Sequence, residues 1–293
     1  MSSPKIIFLA ALALTISGLP LAAQNGDAKS RLKLNVLEGP AKANLEKTAQ
    51  IDVPLGYRFL DGKSTRALLK AEGEPVSGNE LGWLRQTNAD WSIVFEFSDI
   101  GYVKDDDKDS LNADKLLAAI KRGNAEANKE RVRMGSAPVE VVGWEIPPKY
   151  NSETHNLEWA IRGICEGQPI LNYNTRLLGR KGVMEVVLIV EPDKLATTLP
   201  TFRDLMAGYS FQTGHTYAEY RQGDKLAKIG LGALVVGGAA VGAAKLGLFA
   251  WLAVLLKKGW KLIVIAFVAI VTAIKKFFAR LFGGKKREPG MGA

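Results

Sequence analysis

The chain has 293 residues, a formal net charge of +9 and a single cysteine. The excess positive charge lies in residues 225–293, which contain twelve Lys or Arg and one Glu, whereas residues 24–224 contain 26 basic and 29 acidic residues, a net of −3. These basic residues lie within and beside apolar segments. This placement indicates that they contact lipid headgroups and set the membrane topology, and it argues against a nucleic-acid partner. The lone Cys165 excludes an intramolecular disulfide, and the alternating pattern around it predicts a buried strand position.

Residues 1–23 have the layout of a secretory signal peptide. Lys5 precedes an apolar run that ends at Leu21, and two alanines follow before the chain becomes polar. Gly18 and Pro20 interrupt the run at the place where such peptides are cut. We therefore predict export from the cytoplasm and cleavage near residue 23, with an uncleaved N-terminal helix as the alternative.

The pattern of residues 24–213 predicts one globular domain. In its first half, the alternation of apolar and polar residues predicts strands over 31–38, 50–53, 57–60 and 91–97, with a helix over 65–72. Its second half predicts a helix over 113–134, antiparallel strands over 139–144, 156–165, 170–179 and 183–191, a helix over 192–207 and a short strand over 209–211. Residues 183–191 are almost wholly apolar, which predicts a central strand covered on both faces.

This order of elements predicts the α+β class, with an antiparallel sheet and flanking helices. In topology it resembles the α/β/α sandwich of the Mog1 and photosystem PsbP-like domains. A shared fold does not imply shared chemistry, so this resemblance assigns no site residues.

Two stretches rich in aromatic and ionisable residues are the candidate binding region. The first connects two strands through Pro147 and Pro148, and the second ends in a Gly179–Gly182 turn. The aromatic side chains could wall a pocket and the arginines could hold a carboxylate or a lipid headgroup. The alternative is a rigid loop whose aromatic residues complete the core, beside a solvated hairpin turn. The candidate binding residues are Trp144, Tyr150, His155, Glu158, Trp159, Arg176 and Arg180.

The sequence contains no strong signal for a metal or cofactor. His155 and His215 are its two histidines, and neither has a metal-type partner at helical spacing or a neighbouring cysteine. The sequence also has no nucleophile elbow, glycine-rich phosphate loop or dinucleotide fingerprint. We therefore expect no metal, no cofactor and no catalytic residues of these classes.

An acidic loop matches the start of a calcium-binding loop. Asp105, Asp107 and Asp109 have the first three spacings of that motif. However, Ser110 stands where the sharp turn needs glycine, and Leu116 stands where a bidentate glutamate is needed. The sequence favours a plain solvated loop.

The C-terminal residues predict a membrane anchor. Residues 229–256 are apolar except for Lys245 and are long enough to cross a bilayer as one helix, after a short bridge over 214–228. A second apolar segment, 257–282, either crosses the membrane or lies on it, and residues 283–293 form a basic disordered tail. Charge placement favours one crossing, whereas the apolar length of the second segment favours a hairpin, so both arrangements stay open.

Two glycines of the predicted membrane helix are spaced for a close helix contact. Gly238 and Gly242 stand four residues apart with alanines between them. They predict a membrane-protein partner or a homo-oligomer in addition to membrane lipid. The alternative is a generic anchor rich in small residues.

Three motifs carry a resemblance to a known family. Residues 143–160 read GWEIPPKYNSETHNLEWA, residues 171–184 read LNYNTRLLGRKGVM, and residues 217–225 read YAEYRQGDK. At these motifs the chain resembles a family of bacterial membrane-anchored proteins catalogued as a domain of unknown function, over roughly 51–280. The resemblance implies the same architecture and transfers no catalytic residues.

We therefore expect a protein of the bacterial inner membrane whose globular domain faces the periplasm. Its expected role is a non-catalytic binding or assembly module of the cell envelope. The alternative is an envelope enzyme with a site near His155, Glu158 and Arg176, which requires these side chains to lie within hydrogen-bond reach of one another.

Overall fold

The computed structural model describes residues 32–71, 74, 76–133 and 135–237. The strands in these ranges are β1 Val36–Glu38, β2 Ala41–Leu45, β3 Ala49–Val53, β4 Tyr57–Asp61, β5 Glu80–Gln86, β6 Ser92–Ser98, β7 Val139–Asn151, β8 Asn156–Cys165, β9 Gln168–Leu178, β10 Val183–Val190 and β11 Tyr209–Phe211. The helices are α1 Gly62–Ala71, α2 Ala113–Arg133, α3 Leu195–Ala207 and α4 Leu231–Val235.

The strands form two antiparallel sheets. Eight strands lie in the order β1-β4-β5-β6-β10-β9-β8-β7, and three strands form a second sheet in the order β11-β3-β2. The predicted α+β class with a large antiparallel sheet and helices is therefore confirmed. The apolar strand β10 lies between β6 and β9, as its composition predicts.

One face of the eight-stranded sheet, here called the closed face, packs against the three-stranded sheet and α3. Its core includes Phe95 of β6, Leu188 of β10 and Tyr173 of β9, each with an exposed fraction of 2% or less. The ring of Tyr173 meets the ring of Phe202 of α3 edge to face, with 5.5 Å between centroids. Apolar burial of this kind is the main favourable contribution to folding.

The opposite face, here called the cavity face, is covered by separate groups of elements. Leu68 and Leu69 of α1 pack with Trp83 of β5. Farther along the sheet, Ile120 of α2 packs with Ile161 of β8, in a cluster that also contains residues of α4. These coverings leave a cavity over the central strands, and this arrangement positions the candidate site.

Strand β7 is longer than predicted and includes the two prolines. It runs to Asn151 rather than ending near Trp144, and its pairing with β8 shifts register three times. Pro147 and Pro148 are tolerated because β7 is at the edge of its sheet, where an outward N–H has no strand to bond. The predicted rigid connection is therefore an irregular edge strand.

Strand β5 was not predicted because its pattern is interrupted by Gly82. A Cβ at this position would lie 2.2 Å from the ring of Phe59 in β4. The glycine therefore makes room for an aromatic side chain on the adjacent strand, and this requirement outweighs the low strand propensity of glycine.

The predicted membrane helix over 229–256 does not start as a continuous helix. Helix α4 ends at Val235, and Gly237 has a positive φ of 87°. Leu231 and Leu234 are 0% and 4% exposed within the core of the domain. Among the residues described, no helix has the length and hydropathy needed to cross a membrane.

Several predicted segments lie outside the described residues. They are the signal peptide 1–23, the remainder of the first apolar segment with Gly238 and Gly242, the second apolar segment 257–282 and the basic tail 283–293. By contrast, the bridge 214–228 is described and packs on the domain, with Tyr217 buried.

Candidate ligand-binding site

A row of four ionisable side chains crosses the cavity face. Glu80 of β5 pairs with Glu96 of β6, Glu96 pairs with Glu185 of β10, and Glu185 pairs with Arg176 of β9. Residues directly opposite each other on neighbouring antiparallel strands project to the same face. The fold therefore brings three carboxyl groups and one guanidinium group into a line, although they are far apart in sequence.

Arg176 is fixed at one end of this row. Its Nη2 lies 2.9 Å from Oε2 of Glu185, and Oε1 of Glu185 accepts a hydrogen bond of 2.5 Å from Ser98 Oγ. The guanidinium carbon stands 4.8 Å from the ring centroid of Trp159, which is a cation–π contact. Arg176 is only 7% exposed, and its Nε has no hydrogen-bond partner among the described residues.

Glu80 and Glu96 share one serine hydroxyl. Glu80 is fully buried and accepts backbone hydrogen bonds from Ser77 and Gly78 at 2.5 and 2.9 Å. Ser77 Oγ lies 3.0 Å from Oε1 of Glu80 and 2.9 Å from Oε2 of Glu96. A hydroxyl has one proton to donate, so both contacts are hydrogen bonds only when one of the two carboxyl groups is protonated and donates to Ser77 Oγ. Oε1 of Glu80 already accepts from the Ser77 N–H, so Glu96 is the better placed of the two to carry that proton.

The electrostatics of Glu96 agree with this geometry. Burial, followed by the neighbouring carboxylates of Glu185 and Glu80, raises the pKa of Glu96 to about 7. The carboxyl group therefore changes charge near neutral pH, and it does so at the floor of a cavity.

The cavity over this row has a volume of about 590 Å³, within the range of small-molecule sites. Its floor is polar, its walls are apolar, and its cover comes from α2 and from residues 225–237, here called the C-terminal strap. The lining includes Glu96, Asn172, Asn174, Arg176 and Glu185 on the floor, Ile120, Trp159, Ile161 and Val187 on the walls, and Lys225, Lys228, Ile229, Leu234 and Val235 in the strap.

The strap is bonded to the domain at its start. The Tyr102 N–H donates to the Lys225 carbonyl and the Ala227 N–H donates to the Tyr102 carbonyl, each at 2.8 Å. Lys225 Nζ donates to the backbone carbonyl of Asp99 at 2.8 Å. Gly101 permits this approach, because its φ is 94° and a Cβ there would lie 2.5 Å from the Lys225 carbonyl oxygen.

The acidic loop holds the other part of the strap. The carboxylate of Asp107 accepts hydrogen bonds from the backbone N–H groups of Leu231 and Gly232, at 3.1 and 3.4 Å, where α4 begins. Asp105 accepts a hydrogen bond of 3.1 Å from the Tyr150 hydroxyl. The loop predicted to be solvated thus positions the cover of the cavity. In the described ranges, no group of three or more His, Cys, Asp or Glu side chains is placed to hold a metal ion.

Only two of the predicted site residues, Trp159 and Arg176, line this cavity. Trp144 instead donates its indole N–H to the Ala113 carbonyl at 3.1 Å, beside the start of α2. Arg180 makes two hydrogen bonds of 2.7 and 2.8 Å to Asp224 and so attaches the bridge to the domain. Trp144 and Arg180 therefore have structural contacts outside the cavity.

His155, Glu158 and Arg176 do not converge. Glu158 pairs with Thr175, whereas its neighbour Leu157 pairs with Arg176, so Glu158 and Arg176 project to opposite faces. Glu158 accepts a hydrogen bond of 2.7 Å from the Tyr173 hydroxyl on the closed-face side. The alternation of side chains along a strand separates the two groups.

His155 and Glu158 line a second depression of about 670 Å³ that also includes Arg203. The His155 ring stands 4.2 Å from the Tyr217 ring, and Nδ1 of His155 lies 3.1 Å from the Tyr150 hydroxyl oxygen. His155 also has a positive φ of 53°, a backbone conformation uncommon for residues with a side chain. The aromatic residues around His155 thus fix its ring.

The sequence predictions missed Glu80, Glu96, Glu185, Asn172 and Asn174. A usable signal existed, because Asn172, Asn174 and Arg176 recur every second residue in a strand whose other residues are mostly apolar. Glu185 likewise interrupts an apolar run, and Glu96 stands between two phenylalanines. Polar residues on one face of an otherwise buried strand indicate a polar site.

The fold and the cavity define an α+β domain with a ligand-sized site. The model of the family described as "Protein of unknown function (DUF2167)" matches residues 37–268, and the chain belongs to this family. This match confirms the resemblance to a domain of unknown function, and it includes both the strap and part of the apolar C-terminal segment.

No curated protein matches the chain. Among solved structures, the chain is similar to cyanobacterial PsbP (CyanoP) from Synechocystis sp. PCC 6803, with 12% sequence identity and a TM-score of 0.37. The similarity covers 61% of this chain and 92% of that chain. It carries no functional conclusion.

Proposed function

We propose that the protein is a membrane-anchored binding module of the bacterial cell envelope, with its domain in the periplasm and a small ligand in the cavity under the C-terminal strap. The observation that carries the proposal is the position of the strap. Residues 225–237 cover the cavity and lead directly into the apolar C-terminal segment. A ligand that changes how the strap packs would therefore act next to the anchor.

The proposed anchor begins after Gly237 rather than at Ile229. Residues 238–256 number nineteen and contain one charged residue, Lys245, so they have the length needed for one crossing. The signal-peptide pattern of residues 1–23 supports export of the domain, and the basic residues after 274 favour a cytoplasmic C-terminus. A helical hairpin formed with residues 257–282 is the alternative arrangement.

Cysteine labelling tests this topology. In a Cys165→Ser background, Leu55→Cys places a thiol at a position that is 79% exposed, and Lys286→Cys places one in the basic tail. We expect a membrane-impermeant maleimide to label Leu55→Cys in intact spheroplasts and Lys286→Cys only after lysis. Labelling of both thiols in intact spheroplasts supports the hairpin. Labelling of Leu55→Cys only after lysis contradicts a periplasmic domain.

Assembly through the membrane segment is a further part of the proposal. Gly238 and Gly242 would allow a close contact with a membrane-protein partner or a second copy. Replacing both glycines with leucine should abolish crosslinked complexes in the membrane, whereas Gly237→Leu is unsuitable as a control because of its positive φ. Ala240→Leu is the better matched control, and unchanged crosslinking in the double variant would contradict this role.

An envelope enzyme is the second candidate function, and one observation favours it. His155 is oriented by Tyr150 beside a depression that also contains Glu158 and Arg203. Such an enzyme would use His155 and Glu158 without Arg176, which lies on the other face. The test is a screen of the full-length protein against envelope esters and amides with His155→Asn in parallel. Turnover that the variant loses supports the enzyme, and absence of turnover supports the binding module.

A further inference from the structure

We propose that the cavity under the C-terminal strap binds a molecule that carries a protonated amine on an apolar body, with the ammonium group held by Glu96 and Glu185. We further propose that the ligand displaces a proton from Glu96 to the solvent. This inference rests on the proposed function only in taking the same cavity as the binding site, and it does not depend on membrane anchoring.

The charge on the floor of the cavity favours a cation. Arg176 is paired with Glu185, and Glu80 is satisfied by backbone N–H groups and by Ser77. Glu96 has no ion pair with any described residue, although it lines the cavity and is largely buried. A buried carboxylate needs a cationic partner or must remain protonated. An ammonium group in the cavity would be that partner.

An anionic ligand fits this floor less well. A carboxylate or phosphate would stand beside Glu96 and Glu185, and the positive charge of Arg176 is already used by Glu185. Like charges that lie close together in a poorly solvated site repel strongly. The Nε of Arg176 has no hydrogen-bond partner among the described residues, but it is itself buried and adds no free charge to the cavity.

The walls define the remainder of the ligand. Trp159, Ile161 and Val187 from the sheet and Ile120 from α2 enclose the space above the polar row, and Leu234 of α4 closes it. Side chains of this kind bind an alkyl or aromatic body through apolar burial. A primary amine with a short apolar chain therefore matches both the floor and the walls.

Binding should become tighter as the pH rises through neutrality. The charged groups facing Glu96 are Glu80 from β5, Glu185 from β10 and Arg176 from β9. At the rim, Asp99, Lys225 and Lys228 also line the cavity, whereas α2 and α4 contribute apolar side chains. An alkylammonium keeps its charge up to a pH of about 10, so Glu96 is the group that changes. With its pKa near 7, we expect affinity to rise about tenfold from pH 6 to pH 8.

The experiment is isothermal titration calorimetry on the full-length protein in a non-ionic detergent. The probes are n-hexylamine, n-hexanol and hexanoate, which share one apolar chain and differ in the head group. The variant is Glu96→Gln, and the matched control is Glu140→Gln, at an exposed position of β7. Thermal melting of each protein checks that it is folded.

We expect hexylamine to bind the wild-type protein at pH 8 more tightly than hexanol or hexanoate. Its dissociation constant should increase at least about tenfold in Glu96→Gln, because a neutral amide replaces the carboxylate that faces the ammonium group, and should stay unchanged in Glu140→Gln. Titrations at pH 6 in two buffers with different ionisation heats should report the release of about one proton per ligand.

Three results would overturn the inference in distinguishable ways. Equal binding of hexanol and hexylamine, with no effect of Glu96→Gln, would support the cavity as a binding site but contradict recognition of an ammonium group. Tighter binding of hexanoate than of hexylamine would show that the cavity prefers an anionic ligand. Failure of all three probes to bind the folded wild-type protein would contradict the cavity as the binding site and, with it, this part of the proposed function.

Discussion

The two faces of the eight-stranded sheet are built by the same strands and have different roles. In β9, Leu171 and Tyr173 project to the closed face, whereas Asn172, Asn174 and Arg176 project to the cavity face. The first set lies in a continuous apolar core, and the second set lines an open volume. One strand can therefore contribute to stability and to binding because its side chains alternate between two environments.

The comparison also shows how a polar face is accommodated in the interior. Glu80 is satisfied by the turn that precedes its strand, and Glu185 is satisfied by Ser98 and Arg176. Glu96 lines the cavity and has no ion pair with any described residue. The closed face should therefore dominate the free energy of unfolding, and the cavity face should dominate its dependence on pH and ligand.

The largest effect is expected from the closed face. Phe95→Ala removes a fully buried ring and should lower the free energy of unfolding by about 3–5 kcal/mol, because it leaves a cavity in a packed core. Chemical denaturation of the full-length protein in detergent measures the change. Asn174→Ala, two strands away on the cavity face, is the control and should cost much less. Equal losses would contradict the division of roles between the faces.

The next effect concerns the cover of the cavity face. Leu231→Ala removes a side chain with no exposed surface and should lower the free energy of unfolding by about 2–3 kcal/mol. It should also release the strap backbone and so speed trypsin cleavage after Lys225 and Lys228, whose side chains are already exposed. Leu226→Ala changes a strap residue that is 44% exposed and serves as the control. If trypsin cleaves both variants as slowly as the wild-type protein, α4 does not hold the strap in place.

A third prediction concerns the pH dependence of stability. Because the folded state raises the pKa of Glu96 from 4.5 to about 7, the folded protein binds more protons than the unfolded chain between these values. The contribution of Glu96 to stability therefore falls as the pH rises through this window and is constant above it. Glu96→Gln should remove this fall, which is about 3 kcal/mol.

The difference between the two denaturation profiles, recorded from pH 4.5 to pH 8, isolates this group from other titrating residues. Glu140→Gln should give a profile parallel to that of the wild-type protein. A Glu96→Gln profile that is also parallel would mean that Glu96 ionises at its ordinary pKa.

The smallest effect is expected at the acidic loop. Asp107→Ala removes the carboxylate that accepts hydrogen bonds from the first amides of α4 and should cost about 1 kcal/mol. Faster hydrogen exchange of the Leu231 amide measures the loss locally. Asp109→Ala, at an exposed position of the same loop, should leave that exchange rate unchanged. A larger effect at Asp109 would contradict the capping role of Asp107.

Much of the fold follows from local pattern. Strands β8 and β11 have the predicted bounds, and β10 is central as its apolar run indicates. The buried position of Cys165 was also predicted correctly, at 6% exposed. These features succeed because the alternation of apolar and polar residues reflects burial directly. Strand β5 was missed because Gly82 is required by the ring of Phe59 on the adjacent strand. A contact between two strands is not visible in the local pattern of either one.

The candidate site was predicted in part. Trp159 and Arg176 were singled out for their residue types and do meet in the cavity, but His155 and Glu158 lie at a different depression. The row formed by Glu80, Glu96, Glu185 and Arg176 depends on the register of four strands. Register across strands is set by the packing of the whole sheet and not by any single strand.

The amino-acid sequence by itself determined the class of the fold, the central position of β10 and the separation of an acidic domain from a basic, apolar C-terminal region. These properties follow from the composition of each segment and from the periodicity of its apolar residues, which can be read without knowing any tertiary contact. The tertiary structure decided that Leu231 and Leu234 belong to the domain core, that Asp107 caps the strap, and that Glu96 stands beside two other carboxyl groups. Each of these depends on contacts between distant segments, because apolar residues are buried equally well by a membrane or by a protein core, and only the packed chain selects between them.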